Sequence, residues 1–292
     1  MPFLFPSFEE NSIPWVILTG GVGALLGASF KFIFDNLLGP TLESSRAARA
    51  AMRKYSYPLL RAAEALDRRL ENLFRHADKK WFDDPKDDYY RISTLYLFGC
   101  YFGWCNILEK EAFLEYVESD KKARDFSTQF YRVFKGITGF YYFEDLLEEE
   151  SISAEQVEAA TVPRLALTAI GELMVKSPAG KDTLPSLIDF VEFAGTFAAS
   201  DNFQRWFAYL IALLTDLEHS RSDPRWNRLL VFATNLRTFV SFLDPAHRQT
   251  RPRYIYYLPS LHPRVEARLR KELEESGHAD LIAKPLEVRA PV

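Results

Sequence analysis

The longest run of apolar positions in the chain lies near the N-terminus, at residues 15–38. It contains no charged residue before Lys31, and Asp35 is its only other charge. A helix of roughly 20 mostly apolar residues is long enough to cross the hydrocarbon core of a bilayer. We therefore expect a transmembrane anchor at residues 14–38, after a short flank at residues 1–13.

Two other interpretations of this run remain open, a cleaved signal peptide and a buried core helix. The flank carries Glu9 and Glu10 and no basic residue, whereas a signal peptide begins with a basic region. Glycine is a poor helix former in water but is common in membrane helices, where small residues let two helices pack closely. The candidates for such packing between two anchors are Gly20, Gly23, Ala24 and Gly27.

The next segment, residues 41–80, has apolar and polar positions at the spacing of an amphipathic helix. We expect a helix that begins at a cap on Ser44 or Ser45 and runs to about Lys79. Pro58 is expected to kink or divide it. The apolar positions recur at intervals of three and four residues and form one stripe: Leu59, Ala63, Leu66, Leu70 and Phe74.

Positive charge is concentrated in the same segment, which holds ten basic and five acidic residues. Cytoplasmic segments next to a membrane helix are rich in Lys and Arg. We therefore expect a single-pass protein of the inner (cytoplasmic) membrane, with its N-terminus outside and its body in the cytoplasm. Four basic residues are candidates for contact with anionic lipid, although a solvated helix face explains them equally well: Arg46, Arg49, Arg53 and Lys54.

Residues 81–284 continue as a helical body whose most apolar helix is expected at residues 92–117. The apolar part of this helix is too short to span a bilayer, so we place it at the centre of the body. Gly99 and Gly103 are four residues apart, so another helix can approach closely there. A loop rich in Pro, Gly and Ser at residues 176–183 is the best candidate for a division of the body.

Capping and stop residues mark the remaining helices of the body. Ser153 with Gln156 forms a capping box, Ser200 caps one helix, and Asp223 with Pro224 starts another. Other helices are expected at 120–137, 165–175, 184–199 and from Pro263 to Gly277, with a possible short strand near 162–168 and a loose tail at 285–292. The predicted fold class is all-α, with one N-terminal transmembrane helix followed by a cytoplasmic multi-helix bundle.

Composition and charge narrow the class of protein. The chain is 48% hydrophobic and contains 24 Phe, 14 Tyr and 5 Trp, enough to bury a sizeable core. A net charge of −4 argues against a general nucleic-acid-binding protein, which would carry a strong basic excess. The two cysteines, Cys100 and Cys105, are five apart and point in different directions on a helix, so we expect reduced core residues.

Three segments of the body resemble blocks found in a family of bacterial membrane-anchored proteins of unknown function. The first block reads YLFGCYFGWCNIL at residues 96–108 and the second AIGELM at residues 169–174. The third runs from residue 228 to residue 245. The resemblance would cover most of the body, and it implies neither an activity nor a catalytic residue.

A basic segment with interleaved tyrosines follows at residues 246–271. Such a pattern can serve single-stranded nucleic acid, but it can equally contact the acidic run at residues 144–158 or a membrane surface. The weak overall charge disfavours nucleic acid as a partner. The partners expected from the sequence are therefore membrane lipid and either a protein partner or a second copy that associates through the anchor.

Motifs for catalysis are absent from the sequence. The five histidines have no paired metal-ligand spacing, and no phosphate loop or nucleophile elbow is present, so no metal and no cofactor are expected. The favoured hypothesis is a membrane-tethered helical interaction or scaffold module. The alternative is an enzyme that acts on a lipid-derived or membrane-adjacent substrate in a pocket formed by Tyr101, Asn106 and Glu172.

Overall fold

The computed structural model describes residues 39–84, 88–112, 121–148, 152–176 and 185–282. These ranges contain ten α-helices and only one two-stranded ladder, which confirms the all-α class. Every helix within the described ranges is too short or too polar to cross a membrane. The anchor expected at residues 14–38, with its packing candidates Gly20, Gly23, Ala24 and Gly27, lies outside the described residues.

The first helix, α1, spans Gly39–Arg75 and is longer than the sequence predicts. It includes residues 44 and 45, so the expected start at a serine cap is wrong, and it ends four residues before Lys79. Pro58 lies inside the helix, so the expected division there is also wrong. Tyr55 and Leu59 on either side of the proline are both buried, and this packing holds the two turns together.

The second helix, α2, spans Tyr89–Ala112, so the apolar helix expected at residues 92–117 is present and starts three residues earlier, while its expected end lies outside the described residues. Two 3₁₀ turns, Ala77–Lys79 and Trp81–Asp83, connect it with α1. Other parts of the chain approach the glycines of α2 closely, as expected. A Cβ atom on Gly99 would stand 2.7 Å from Met174 Sδ, and a Cβ atom on Gly103 would stand 2.7 Å from Leu187 Cδ2.

The middle of the chain forms one long helix and several short ones. Helix α3 spans Lys121–Thr138, α4 spans Glu144–Glu148 and α5 spans Ala154–Ala159. The capping box of Ser153 and Gln156 at the start of α5 is confirmed. Helix α6 spans Arg164–Met174, so the short strand considered near residues 162–168 is not formed.

The ladder and a helical hairpin follow α6. Strand β1 (Val175–Lys176) pairs antiparallel with β2 (Ser186–Leu187). Because β2 occupies residues 186–187, helix α7 starts later than expected and spans Phe190–Ala199, with Asp189 as its N-cap. Helix α8 spans Asp201–Leu214 and is capped by Ser200, as expected. Between these two helices pack four phenylalanines: Phe193, Phe197, Phe203 and Phe207.

The last two helices are α9 (Pro224–Leu243), capped by Asp223 as expected, and α10 (Pro263–Glu275). Gly277 lies just beyond α10 with φ of 75°, the left-handed conformation of a helix stop. Residues 226–240 of α9 are all buried. This helix is thus the most enclosed one in the described part of the chain, and it contacts α1, α3, α5 and α8.

Candidate functional site

Helix α9 is buried on every side although its sequence contains many polar residues. Burial of a polar group is costly unless it finds hydrogen-bond partners, so each such residue needs a partner in the core. Asn235 Nδ2 donates to the carbonyl of Arg132 at 3.1 Å and to the Tyr142 hydroxyl at 3.1 Å. Asn227 Nδ2 donates to the carbonyls of Arg221 and Asp223, each at 2.8 Å.

Arg228 is a fully buried arginine near the start of α9. Its Nη1 donates to the Gly139 carbonyl at 2.8 Å and its Nη2 to the Val157 carbonyl at 3.4 Å. The guanidinium also lies over the Phe143 ring, 4.6 Å from the centroid. Burial lowers the pKa of the Arg228 guanidinium to about 10. Because Gly139 follows α3 and Val157 lies in α5, this side chain fixes two helices rather than facing a ligand.

Arg237, two turns further along α9, is the centre of a buried ionic network with α1. Its Nε and Nη2 donate to Asp67 Oδ1 at 3.1 and 2.9 Å, and Nη2 also reaches Glu71 Oε2 at 3.1 Å. Nη1 donates to the Tyr254 carbonyl at 2.7 Å. The side chains of Arg237 and Asp67 are only 3% and 2% exposed, so this pair is removed from solvent.

Two further arginines extend this network towards the surface. Arg253 Nη1 contacts Glu71 Oε2 at 3.0 Å and Asp67 Oδ2 at 3.5 Å. Arg75 donates to Glu71 Oε1 from Nε at 3.0 Å and from Nη2 at 2.8 Å. Burial acts to lower the pKa of Arg237, but the carboxylates of Asp67 and Glu71 outweigh it, so this pKa is raised. Arg237 therefore stays charged.

The loop after α9 is shaped by the carboxylate of Asp244. Its Oδ1 accepts the backbone N–H of Arg248 at 3.0 Å, and its Oδ2 accepts those of Gln249 and Thr250, each at 2.8 Å. Burial acts to raise the pKa of Asp244, but these N–H groups outweigh it, so the pKa is lowered. The loop reverses the chain through His247, whose φ is 50°, and delivers Arg251 and Arg253 to the surface beside α1.

An open depression lies where this loop meets α1, with a cavity volume of 360 Å³. This volume is within the range of small-molecule sites, roughly 300–1,000 Å³. We call it the arginine cleft and define it by six lining residues: Arg68, Glu71, Asn72, Arg75, Arg251 and Arg253. Guanidinium groups therefore dominate the surface that faces solvent here.

Two smaller cavities accompany the cleft. One, of 30 Å³, is lined by His76, Trp81 and His219 among others, and its volume matches about one water molecule. Burial lowers the pKa of His219. The second, of 10 Å³, lies beside Asp67 and His247. Both are too small for an organic ligand, so the arginine cleft is the stronger candidate for a binding site.

The residues proposed for an enzyme pocket have different surroundings. The Tyr101 side chain is fully buried, and burial raises its pKa well above the ordinary value. Asn106 is 5% exposed and its Cβ would lie 3.0 Å from a Cβ on Gly171, at the crossing of α2 and α6. The Glu172 side chain is 53% exposed and pairs with Lys110 at 2.9 Å. None of the three cavities above is lined by these residues, and the pocket stays a prediction.

The basic residues proposed for lipid contact lie on α1 before its buried part. Arg46, Arg49 and Arg53 belong to the helix, but their side chains are outside the described part of the structure. Lys54 is exposed, with Nζ 4.7 Å from the centroid of the Tyr55 ring. Contact of these residues with lipid stays a prediction.

The basic segment at residues 246–271 is largely engaged by neighbouring acids. Arg268 contacts Glu144 at 3.0 Å and Asp145 at 3.4 Å, so one expected alternative, contact with the acidic run, is formed. Arg270 pairs with Glu266 at 2.8 Å within α10. Arg248 and Arg251 differ because both are exposed and form no ion pair within the part of the chain that the structure describes; of the two, only Arg251 lines the arginine cleft.

Sequence reasoning missed the ionic network and hence the cleft beside it. For the basic segment at residues 246–271 the sequence leaves nucleic acid, the acidic run and a membrane surface as alternatives, whereas Arg253 of this segment contacts Asp67 and Glu71 of α1. The sequence does contain a signal for this network. Arg237 stands among apolar residues of α9, and Asp67 and Glu71 are four residues apart, on one face of α1. The described residues hold no group of three or more His, Cys, Asp or Glu that could bind a metal ion.

Comparisons with protein-family models, with curated proteins and with solved structures find no match to this chain. The similarity to bacterial membrane-anchored proteins therefore stays an expectation from the sequence. Functional conclusions have to be built from the described residues themselves. Two features carry them: the continuous helix α1, and the arginine cleft that its C-terminal half forms with the loop after α9.

Proposed function

We propose that this chain is a membrane-tethered helical module that holds its body at a fixed position and orientation on the cytoplasmic face of the inner membrane. The observation that carries the proposal is the continuity of α1, which spans Gly39–Arg75 without a break. It begins at the residue that follows the apolar run 15–38. A helix of this length is about 55 Å long, and it is far stiffer than a linker rich in Gly and Ser.

The C-terminal half of α1 is fixed in the body. Tyr55 is 2% exposed, and Leu59, Ala63, Leu66 and Leu70 are not exposed at all. Full burial of each of these leucine side chains contributes about 1.5–3 kcal/mol. A helix held in this way transmits the position of its N-terminal end to the whole body. This arrangement suits a scaffold, which has to present one surface to the membrane-proximal cytoplasm, better than a freely tumbling domain.

Cell fractionation tests the tether. The full-length protein should sediment with bacterial inner membranes, resist extraction by high salt, and dissolve only in detergent. A variant that lacks residues 1–38 should be soluble and should keep the helical circular dichroism signal of the body, because every described helix lies after residue 38. Release of the full-length protein by salt alone would contradict the tether and leave only a peripheral association.

Energy transfer between the body and the lipid surface, measured before and after residues are inserted into α1, tests the fixed orientation of the body. Lys271 has a 76% exposed side chain, so Lys271→Cys can carry a donor dye, while lipid headgroups in a nanodisc carry the acceptor. Burial raises the pKa of Cys100 to about 11 and that of Cys105 well above its ordinary value, which favours selective labelling. The full-length protein in the nanodisc then reports the distance between the body and the lipid surface.

Insertion of alanines after Ala50 changes this distance predictably if α1 is a rigid strut that is tilted from the membrane normal. Two alanines rotate the body by about 200° about the helix axis, whereas four rotate it by about 40°. We expect a large change in energy transfer for two alanines and a small one for four. Equal energy transfer in the native protein and in both insertions would refute a rigid strut that is tilted from the membrane normal.

A further inference from the structure

The arginine cleft carries more positive charge than its acidic neighbours neutralise. Arg237 and Arg253 contact the carboxylates of both Asp67 and Glu71, and Arg75 contacts that of Glu71, so three guanidinium groups share two negative charges. Arg251 adds another positive charge and has no ion pair within the described residues. The site therefore has an excess of about two positive charges.

The cleft also contains N–H groups that donate no hydrogen bond within the described part of the chain. A guanidinium group has five N–H donors and no acceptor. Within the described part of the chain, Arg253 donates only from Nη1, to Glu71 and Asp67. Arg68 donates there only from Nη2, to Glu64. The Arg251 side chain uses none there. An anion with several acceptor oxygens would satisfy these groups together.

The positions of these donors are largely set before any ligand arrives. Arg253 is held by two carboxylates, and Arg75 is held by Glu71 and lies over the Tyr256 ring, 4.9 Å from its centroid. The backbone that leads to Arg251 is fixed by the bonds of Thr250 to Asp244. Because Arg75 and Arg253 are already held in place, an anion that binds here has mainly the Arg251 side chain to order, which reduces the entropic cost.

We propose that the arginine cleft binds a phosphate group that carries two negative charges, as in a phosphate monoester. Arginine is the preferred partner of phosphate because its planar fork donates two parallel hydrogen bonds. A dianion also matches the excess charge of the site. This inference is independent of the tether, since every residue that carries it belongs to the described body.

Two sources could supply such a group, a lipid headgroup or a soluble phosphate ester. Arg68 lies 29 residues beyond Gly39 on α1, which corresponds to about 45 Å along the helix axis. A helix that leaves the membrane along its normal would hold the cleft away from the headgroups, whereas a helix that lies along the surface would place the cleft beside them. The two sources can be separated with probes that share one phosphate chemistry.

The test uses the full-length protein in a neutral detergent at constant ionic strength and follows its thermal unfolding midpoint. Glycerol 3-phosphate is the soluble probe, and dihexanoyl phosphatidic acid, which adds two acyl chains to it, is the lipid probe. Dihexanoyl phosphatidylcholine controls for the chains. A ligand that binds the native state raises the midpoint in a saturable way, from which its dissociation constant follows.

The matched variants come from one loop. Arg251→Gln removes a lining residue, and Arg248→Gln removes an exposed arginine three positions earlier that does not line the cleft. We expect about tenfold weaker binding for Arg251→Gln, which is the loss of one charge-assisted hydrogen-bonded contact, and less than about twofold for Arg248→Gln. Both variants should match the native midpoint without ligand.

Each outcome bears on the proposal. A saturable shift with glycerol 3-phosphate that Arg251→Gln weakens supports a soluble phosphate ester. The same result with phosphatidic acid alone supports a lipid headgroup. If neither probe gives a saturable shift, or if Arg251→Gln binds as tightly as the native protein, or if Arg248→Gln loses as much affinity, the cleft does not recognise phosphate and the proposal is overturned.

Discussion

Gly171 lies in α6 where this helix crosses α2, and its substitution by alanine tests the packing of the body most directly. A Cβ atom at this position would stand 2.5 Å from the Phe102 carbonyl oxygen and 3.0 Å from Asn106 Cβ. The carbonyl belongs to the backbone of α2 and cannot rotate away. The two helices would have to separate, so overpacking should cost about 3 kcal/mol, the upper end of the usual range.

Gly195 provides the matched control because it also lies in a helix, α7, and a Cβ atom there would meet nothing within 4 Å. Alanine is favoured over glycine in a helix by about 1 kcal/mol, and this gain applies at both positions. We therefore expect Gly171→Ala to lower the free energy of unfolding by about 2 kcal/mol and Gly195→Ala to raise it by about 1 kcal/mol.

The assay is urea denaturation of the variant that lacks residues 1–38, followed by circular dichroism at 222 nm. The urea midpoints of the two variants should move in opposite directions. The dependence of the free energy of unfolding on urea concentration should change little, because the surface exposed on unfolding is unchanged. If Gly171→Ala is as stable as Gly195→Ala, α2 and α6 do not approach each other as closely as described, and the reasoning is refuted.

Three further predictions concern the ionic network, the Asp244 loop and the thiols. Arg237→Met should lower the free energy of unfolding in urea by about 3–5 kcal/mol, because it leaves the buried Asp67 without its main partner. As a control, Lys271→Met, which removes the exposed pair with Glu275, should change this free energy by less than about 0.5 kcal/mol. Because the pKa of Asp244 is lowered in the folded state, its contribution to stability is complete above its pKa in the unfolded chain, about 4, and is lost as pH falls below that value. Asp244→Asn should therefore reduce the loss of stability measured between neutral and acidic pH. An unchanged pH profile would contradict the loop geometry. Because burial raises the pKa of both cysteines, a thiol reagent at pH 8 should modify Cys100 and Cys105 only after denaturation, and rapid reaction of the native protein would show that they are more accessible than described.

Much of the secondary structure follows from local patterns in the sequence. The caps at Ser153, Ser200 and Asp223 and the stop at Gly277 are found where the sequence places them. Such signals work because a cap satisfies backbone groups only a few residues away. The glycines of α2 were also interpreted correctly, since a residue without a Cβ in an apolar helix is typical of a close helix crossing.

The sequence failed where a distant contact overrides a local signal. Proline usually interrupts a helix, yet α1 continues through Pro58 because the turns on both sides are packed on the core. The sequence predicts that a helix starts at residue 184, but the pairing of β2 with β1 delays α7 until Phe190. In both cases tertiary packing outweighs a propensity of a few kcal/mol at most.

The sequence by itself determined that this chain has an α-helical body, where most of its helices are capped, and that an apolar run precedes the body. Only the tertiary structure decided that α9 is the enclosed helix and that Arg237 meets Asp67 across 170 residues. The physical reason is that helix signals act over one or two turns, whereas the hydrophobic effect that packs helices has no direction and does not select partners. Which charges meet in the core, and which arginines remain for a ligand at its edge, depends on the packing of the whole chain.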